Sequence, residues 1–368
     1  ASLPPLAADE CCAPTVPAAP KSECACAGVK PMPKPDFANM LPDEKLQKKF
    51  AKSGELATRH AYGVALLELG KANPKVVALD ADVSNSTFSL WFAKQFPDRF
   101  FECRIAEQNM ISTAVGLAAA GKIPFVSSFG KFLVRAYDQV ELATVGGAGI
   151  KITGSHSGAS LGADGPSQMS LTDVAFFRSM SEAEAQFGGP VCTIFVPGDA
   201  YAAYRMVELS AGHPGMTYTR TGRPEVPAIY DADTSFEIGG AEMLAEGDDV
   251  TLVSNGYMLH EVRALLPDLA RQGIKAGLVD AYSFPIRSEM LIGLAADRGR
   301  TLVTVEDNYV GGLGSAIAEL AAAQAGAKVV SVCCNRVPKS GKTAADCFNY
   351  VGVGKADIMA AVKKALRR

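Results

Sequence analysis

No apolar run in this 368-residue chain is long enough to cross a bilayer. The nearest, residues 115–134, is broken by Lys122, Pro124 and Lys131. An excess of one charge is also missing: 36 Lys and Arg stand against 39 Asp and Glu, a net of -3. That balance gives nucleic acid or an anionic membrane no electrostatic reason to bind. The first residues lack the basic stretch and apolar core of a secretory signal, so export is not expected. A disulfide framework is absent as well. The nine cysteines are odd in number; Cys11, Cys12, Cys24 and Cys26 fall in the N-terminal tail, and the rest lie among apolar neighbours. Their spacing fits no standard zinc pattern, and reduced thiols in a cytoplasmic protein are the expectation. What remains is an ordinary globular composition, 48% apolar and 20% charged, with length for two domains.

Organisation follows from punctuation. Residues 1–50 read as a flexible extension containing Pro, Ala and Cys, with "APTVPAAPKSE" and "VKPMPKPDF" extended and the first packed element near Leu41. Residues 51–228 and 229–368 read as two α/β domains. In the first, helical spacing at Leu56, Ala61, Val64, Leu67 and Leu69 ends at Asn73-Pro74. Strands "KVVALDADV", "GKIPFVSSF", "IKITGSH" and "VCTIFVPGD" then alternate with helices "RAYDQVELATVGG" and "AYAAYRMVELS". After a linker, "RPEVPAIYDADTSFEIG", come strands "DDVTLVSNG", "KAGLVDAYS", "TLVTVEDN" and "KVVSVCCNR", with helices between them. Alternation of this kind predicts two open, mostly parallel sheets covered by helices. Asp, Ser, Thr and His at strand ends stand where such folds place ligands.

Two stretches carry candidate chemistry. Glu107, in "FECRIAEQNM", opens a segment that turns apolar. It reads either as a solvated first-turn helix acid or as a carboxylate held dry to polarise a basic nitrogen. "GSHSGASLGADGPSQM", residues 154–169, is a Gly-rich loop with isolated polar side chains, more a binding surface than filler. Alone, His156 is equally a satisfied structural histidine, and Asp164 a turn residue. Phe129 and Phe132, by spacing alone, read as core.

The motifs "ATRHAYG", "LDADVSNSTFS", "PDRFFECRIAEQNM", "GSHSGASLGADGPSQM", "TRTGRPE", "VEDNYVGGLG" and "NRVPKSG" resemble those of transketolases, in the same order and at similar spacing from about residue 54 onward. The resemblance covers that family's pyrimidine-binding and C-terminal domains. It implies a thiamine diphosphate enzyme of the pentose phosphate type that moves a two-carbon ketol unit between sugar phosphates. Glu107 then matches the acid that binds N1′ of the cofactor's aminopyrimidine, and Phe129 and Phe132 match the aromatic wall beside that ring. Arg59, Ser86, His156 and Arg220 match positions that contact the substrate phosphate. Asp164 matches a carboxylate at the donor's hydroxyl, and Gln168 a position near the substrate oxygen, giving Glu107, His156, Asp164 and Gln168 as catalytic candidates.

Two departures stand out. Ala163 replaces an acid common in the family's loop, and residues 181–189 resemble a short insertion. A larger gap is that no Gly-Asp-Gly string occurs anywhere in the chain. The family holds the diphosphate through Mg²⁺ with that motif, whose oxygen ligands suit a hard cation. No metal ligand is therefore assigned to this chain. The resemblance implies the C-terminal subunit of a split, two-chain transketolase, whose N-terminal partner carries the Gly-Asp-Gly motif and most of the Mg²⁺ site. Two-fold symmetry implies a heterotetramer. Alternatives are a 2-oxoacid dehydrogenase β-type subunit or a deoxyxylulose-phosphate synthase-like fragment, and a non-enzymatic binding or regulatory chain. The "GADGPSQ" loop and the phosphate-directed Arg and His positions weigh against the first two, and Glu107, His156 and Asp164 weigh against the third.

Overall fold

The computed structural model describes residues 30–185 and 188–366. The tail cysteines named above lie outside the described residues.

Six strands of the first sheet come from residues below 221: β1 Val76–Asp80, β2 Phe100–Glu102, β3 Ile123–Phe129, β4 Lys151–Ser155, β5 Cys192–Phe195 and β6 Met216–Arg220. The rest of the chain supplies β7 Glu242–Ala245, β8 Val250–Ser254, β9 Ala276–Asp280, β10 Ser283–Phe284, β11 Thr301–Val305 and β12 Lys328–Val332. Among the described residues the first sheet runs β10-β5-β6-β4-β3-β1-β2 and the second β12-β11-β8-β9-β7. Pairing in both is parallel except for β10 on β5 and β7 on β9. Strands β1, β3, β4 and β6 are buried along their whole length. That is why they do not show a clean in-out alternation: helices cover both faces of the sheet. On one face the helices Thr58–Ala72 and Ala200–Gly212 enclose a cluster with Leu69, Val76, Phe125 and Tyr204. On the other, Met110, Val140 and Phe177 bring in the helices that follow β2, β3 and β4.

Three expectations need correction. Packing starts well before Leu41: Met32 and Phe37 are buried, and the Phe37 ring meets Tyr201 and Tyr204 edge-on at 5.2 and 6.1 Å. The part of the extension from Met32 onward is thus docked; the flanking Pro31, Pro33 and Pro35 gave a linker-like composition to a segment that holds two large apolar anchors. Leu56 does not belong to the helix expected around it. Helix Glu44–Ser53 stops at Gly54, whose φ of 68° closes it, and Leu56 pairs with Val226 before a new helix begins at Thr58. The linker expected after β6 is held in place too: the backbone N–H groups of Ile229 and Tyr230 donate to Asp199 at 2.7 and 2.8 Å. The expected insertion turns back on itself, with Ala185 N–H on Gly189 O at 2.9 Å and Val191 N–H on Ala183 O at 2.9 Å.

The two sheets share one core. Strand β10 leaves the second half of the chain to extend the first sheet, and one apolar cluster runs from Val126 and Ile152 through Phe284 and Leu291 to Ile317. No helix among the described residues is long and apolar enough to cross a membrane.

Candidate active site

The carboxyl ends of the first sheet's strands converge. Asp80 ends β1, Phe129 ends β3, His156 follows β4 and Arg220 ends β6. Glu107 starts the helix Glu107–Ala119, which follows β2. This is the edge at which an open parallel sheet offers a crevice.

Glu107 is buried, with 2% of its surface exposed. Its Oε1 accepts from Arg135 Nη1 at 2.6 Å, and the arginine side chain remains 53% exposed. The carboxylate sits on the first turn of its helix, where the unpaired N–H groups favour a negative charge. Arg135 lies over the Phe132 ring at 5.1 Å. Phe132 stacks on Phe129 at 5.0 Å and 17°, and Phe129 stacks on the His156 imidazole at 3.9 Å and 19°. The wall is therefore three rings deep, and Phe129, expected to flank a cofactor ring, also orients the histidine.

His156 has φ of 55°, held between its ring stack and two polar partners. Arg59 Nη1 lies 3.3 Å from Nε2, and Ser155 Oγ lies 3.0 Å from Nδ1. A guanidinium only donates, so Nε2 is the acceptor and Nδ1 carries the proton toward Ser155. Burial, followed by the positive charges of Arg59 and Arg223, pushes the imidazole down to about 3. It is neutral at physiological pH, and the cation of the pair is Arg59. Burial and the neighbouring Arg223 bring that guanidinium down to about 10, still charged near neutrality. Arg59 Nη1 also donates to the Ser86 carbonyl at 3.1 Å, and its guanidinium lies over Phe88 at 5.2 Å.

Asp164 pairs with Arg223 at 2.8 Å on the half-exposed rim of the Gly-rich loop. Gln168 is half-buried on the turn beyond Pro166, its backbone N–H donating to Gly165 O at 3.2 Å. Glu107, Arg135, Phe132, Phe129, His156, Arg59 and Ser86 thus form one line of contacts, with Asp164 and Arg223 at the rim.

Arg220 is placed differently from its expected phosphate role. It is buried, and Nε donates to Asp173 at 3.0 Å, Nη1 to Asp307 at 2.8 Å, and Nη2 to Asn308 at 2.7 Å. Burial works against its charge, but the carboxylates of Asp307 and Asp173 outweigh burial and hold it above its ordinary value. Its donors are occupied in tying the two sheets together. Arg135, Ser155, Arg223 and Asp307 were not singled out in the sequence. Arg135 had a local signal, standing three residues after Phe132 where helical spacing aligns side chains. Asp307 had none.

Among the described residues no group of three His, Cys, Asp or Glu side chains could hold a metal ion. The buried carboxylate of Glu107 beside the stacked Phe129 and Phe132 rings fits an aromatic, basic heterocycle.

Comparison with known proteins follows the same division. Residues 54–228 match the family "Transketolase, pyrimidine binding domain", and residues 239–358 match "Transketolase, C-terminal domain". A solved split gene transketolase, described as an inactive β4 tetramer, is 38% identical with a TM-score of 0.73; the match covers 85% of this chain and 98% of that one. The chain belongs to the transketolase family. Transketolase of Rattus norvegicus is 41% identical over 315 residues, 84% of this chain and 49% of that protein. Transketolase of Homo sapiens is 40% identical over 341 residues, 90% of this chain and 52% of that protein. The chain spans about half the length of these curated transketolases. Transketolase from Leishmania mexicana, at 18% identity and a TM-score of 0.71, shares the fold; that match covers 85% of this chain and 46% of that one.

Proposed function

We propose that this chain is the C-terminal subunit of a two-chain transketolase. It contributes the pyrimidine half of a thiamine diphosphate site and a sugar-phosphate cleft, and an N-terminal subunit with the Gly-Asp-Gly motif contributes the diphosphate half and Mg²⁺. The observation that carries this reading is the surroundings of Glu107. A buried carboxylate and a stacked aromatic wall follow an exposed apolar side chain, Ile105, two residues before Glu107 and 72% exposed. An exposed apolar side chain at such a site suits a face that another chain covers. A chain of similar extent, the split gene relative, is an inactive tetramer, which supports the need for a partner.

Thiamine diphosphate, when bound, supplies the electron sink for breaking the bond beside a ketose carbonyl. Glu107 holds a negative charge at the ring nitrogen, in a position that water does not reach. Phe129 and Phe132 offer flat faces for stacking. Arg59 meets the substrate phosphate with a charged, forked donor, framed by Ser86 and aligned by neutral His156. Asp164 accepts from the sugar hydroxyls, with Arg223 holding its carboxylate, and Gln168 stands by the substrate oxygen. The residue span 54–228 carries these groups, and the remainder from 229 forms the C-terminal domain. Assembly as a heterotetramer follows from two-fold pairing of two such chains with two partners. Free thiols at Cys103, Cys192, Cys333, Cys334 and Cys347 suit a reducing, cytoplasmic setting.

The test is co-expression with a partner bearing Gly-Asp-Gly, followed by an assay of ketol transfer from xylulose 5-phosphate to ribose 5-phosphate with thiamine diphosphate and Mg²⁺. A well-formed complex without activity refutes the reading. Full activity of this chain alone refutes the split site.

A further inference from the structure

We propose that Asp307 is a positioning residue for the sugar-binding loop, through which the C-terminal domain sets the place of His156 and Asp164; this rests on the functional reading above. Asp307 follows β11 and is buried, yet its partners belong to the first sheet's crevice. Oδ1 accepts from Arg220 Nη1 at 2.8 Å, and Oδ2 accepts from the backbone N–H of Ala159 at 3.1 Å. The carboxylate seats against Gly158, where a Cβ would lie 1.8 Å from Oδ2. Gly158 has φ of 83°, so the backbone and the close approach both need glycine. Only Ser157 and Gly158 separate Ala159 from His156, and the turn between them has no slack. Gly158 N–H donates to Ser170 O at 2.9 Å, and Ser157 N–H to Thr221 O at 3.2 Å.

The other end of the loop is held by the same domain. Gly341 N–H donates to Gly162 O at 3.1 Å, and a Cβ on Gly165 would lie 2.6 Å from Ser340 Oγ. Asp164 lies between these two glycines. The loop is thus clamped at Ala159 and at Gly162 by groups that the chain supplies much later. Neighbouring Asn308 and Glu306 fix the clamp itself. Asn308 Oδ1 accepts from Arg220 Nη2 at 2.7 Å, and Glu306 accepts from the N–H groups of Leu313 and Gly314, at 2.9 and 2.8 Å, at the start of the next helix. Arg220 belongs to this device: it joins Asp307 to Asp173 and carries the loop's register back to the first sheet.

The experiment uses Asp307→Asn. Its Oδ1 still accepts from Arg220, while the amide NH₂ now faces the Ala159 N–H, donor against donor. In the full chain alone, hydrogen exchange of residues 157–165 should speed up about tenfold, as for loss of one charge-assisted bond, with β8 and β11 unchanged. In the assembled enzyme, KM for a phosphorylated acceptor should rise about tenfold with kcat within about twofold. Gly158→Ala pushes the carboxylate away from the other side and should give the same exchange pattern, which decides the matter if Asp307→Asn folds poorly. Unchanged loop exchange, or a fall in kcat with KM unmoved, overturns the proposal. If the wild-type complex transfers no ketol unit, the functional reading fails, and the exchange result alone still decides the clamp.

Discussion

Glu107→Gln separates a functional acid from a structural one. The side chain is 2% exposed, so its charge has given up nearly all its water. In return it has an ion pair of 2.6 Å with Arg135, whose own side chain is 53% exposed. A pair open to solvent on one side contributes no more than about 1 kcal/mol. Gln keeps the volume, keeps an acceptor for Arg135 and removes the desolvation penalty of the charge. The two effects oppose each other, so stability should change by less than about 1 kcal/mol, or about 1–2 °C in melting temperature for a chain of this size. Activity should respond on another scale. A preorganised charge lost from a dry site costs roughly 10²–10³ in kcat. The assay is ketol transfer by the complex with the proposed diphosphate-binding subunit, beside a thermal melt of the variant chain. A variant that keeps more than about a tenth of wild-type kcat refutes the assigned role. A loss of stability above about 3 kcal/mol shows instead that the buried acid serves the fold.

Other perturbations probe the frame around that site. Arg220→Met leaves Asp173 and Asp307 buried without their shared cation and should destabilise by about 3–5 kcal/mol in urea unfolding; a change below about 1 kcal/mol contradicts the account of the network. Gly154→Ala places a Cβ 2.2 Å from Tyr218 Oη, which is itself bonded to Asp173 at 2.7 Å, so the thermal midpoint should fall by the equivalent of about 1–3 kcal/mol. Asp280 is pushed up to about 8, first by burial and then by the nearby charge of Asp199, against a hydrogen bond from Tyr230 that lowers it. A folded value raised above the unfolded one gives stability that is complete at acid pH and drains away as pH climbs toward 8. Asp280→Asn has no such loss, so melts at about pH 5 and about pH 8 should show the wild-type advantage shrinking, or reversing, at the higher pH. An advantage that grows with pH contradicts the buried, protonated acid.

How far the sequence reaches is visible residue by residue. Strands β1, β3 and β4 were legible because short runs rich in β-branched and apolar side chains, leading into Asp, Ser or His, are a local pattern. Glu107, His156 and Arg59 were legible because ordered motifs hold them, Phe129 and Phe132 only because the resemblance pointed to an aromatic wall, and the fold joins all five in one line of contacts. The absence of Gly-Asp-Gly needed no structure at all, since a motif missing from 368 residues cannot be supplied by folding them. Other features had no local trace. Met32 and Phe37 look like linker until the helix bearing Tyr201 and Tyr204 gives them a surface. Ser283 and Phe284 look like the end of one domain's strand until they pair with Phe195 and Ile194 of the other. Arg220 carries the same five donors in any context; only the carboxylates of Asp173 and Asp307, distant in sequence, decide that it faces inward. Sequence alone therefore determined the class of elements, the order of the motifs and the lack of a Gly-Asp-Gly string among these residues, because each is written in neighbouring residues. Tertiary structure alone decided which charged groups are exposed and which domain holds the loop, because burial and pairing are properties of residues that the chain brings together from far apart.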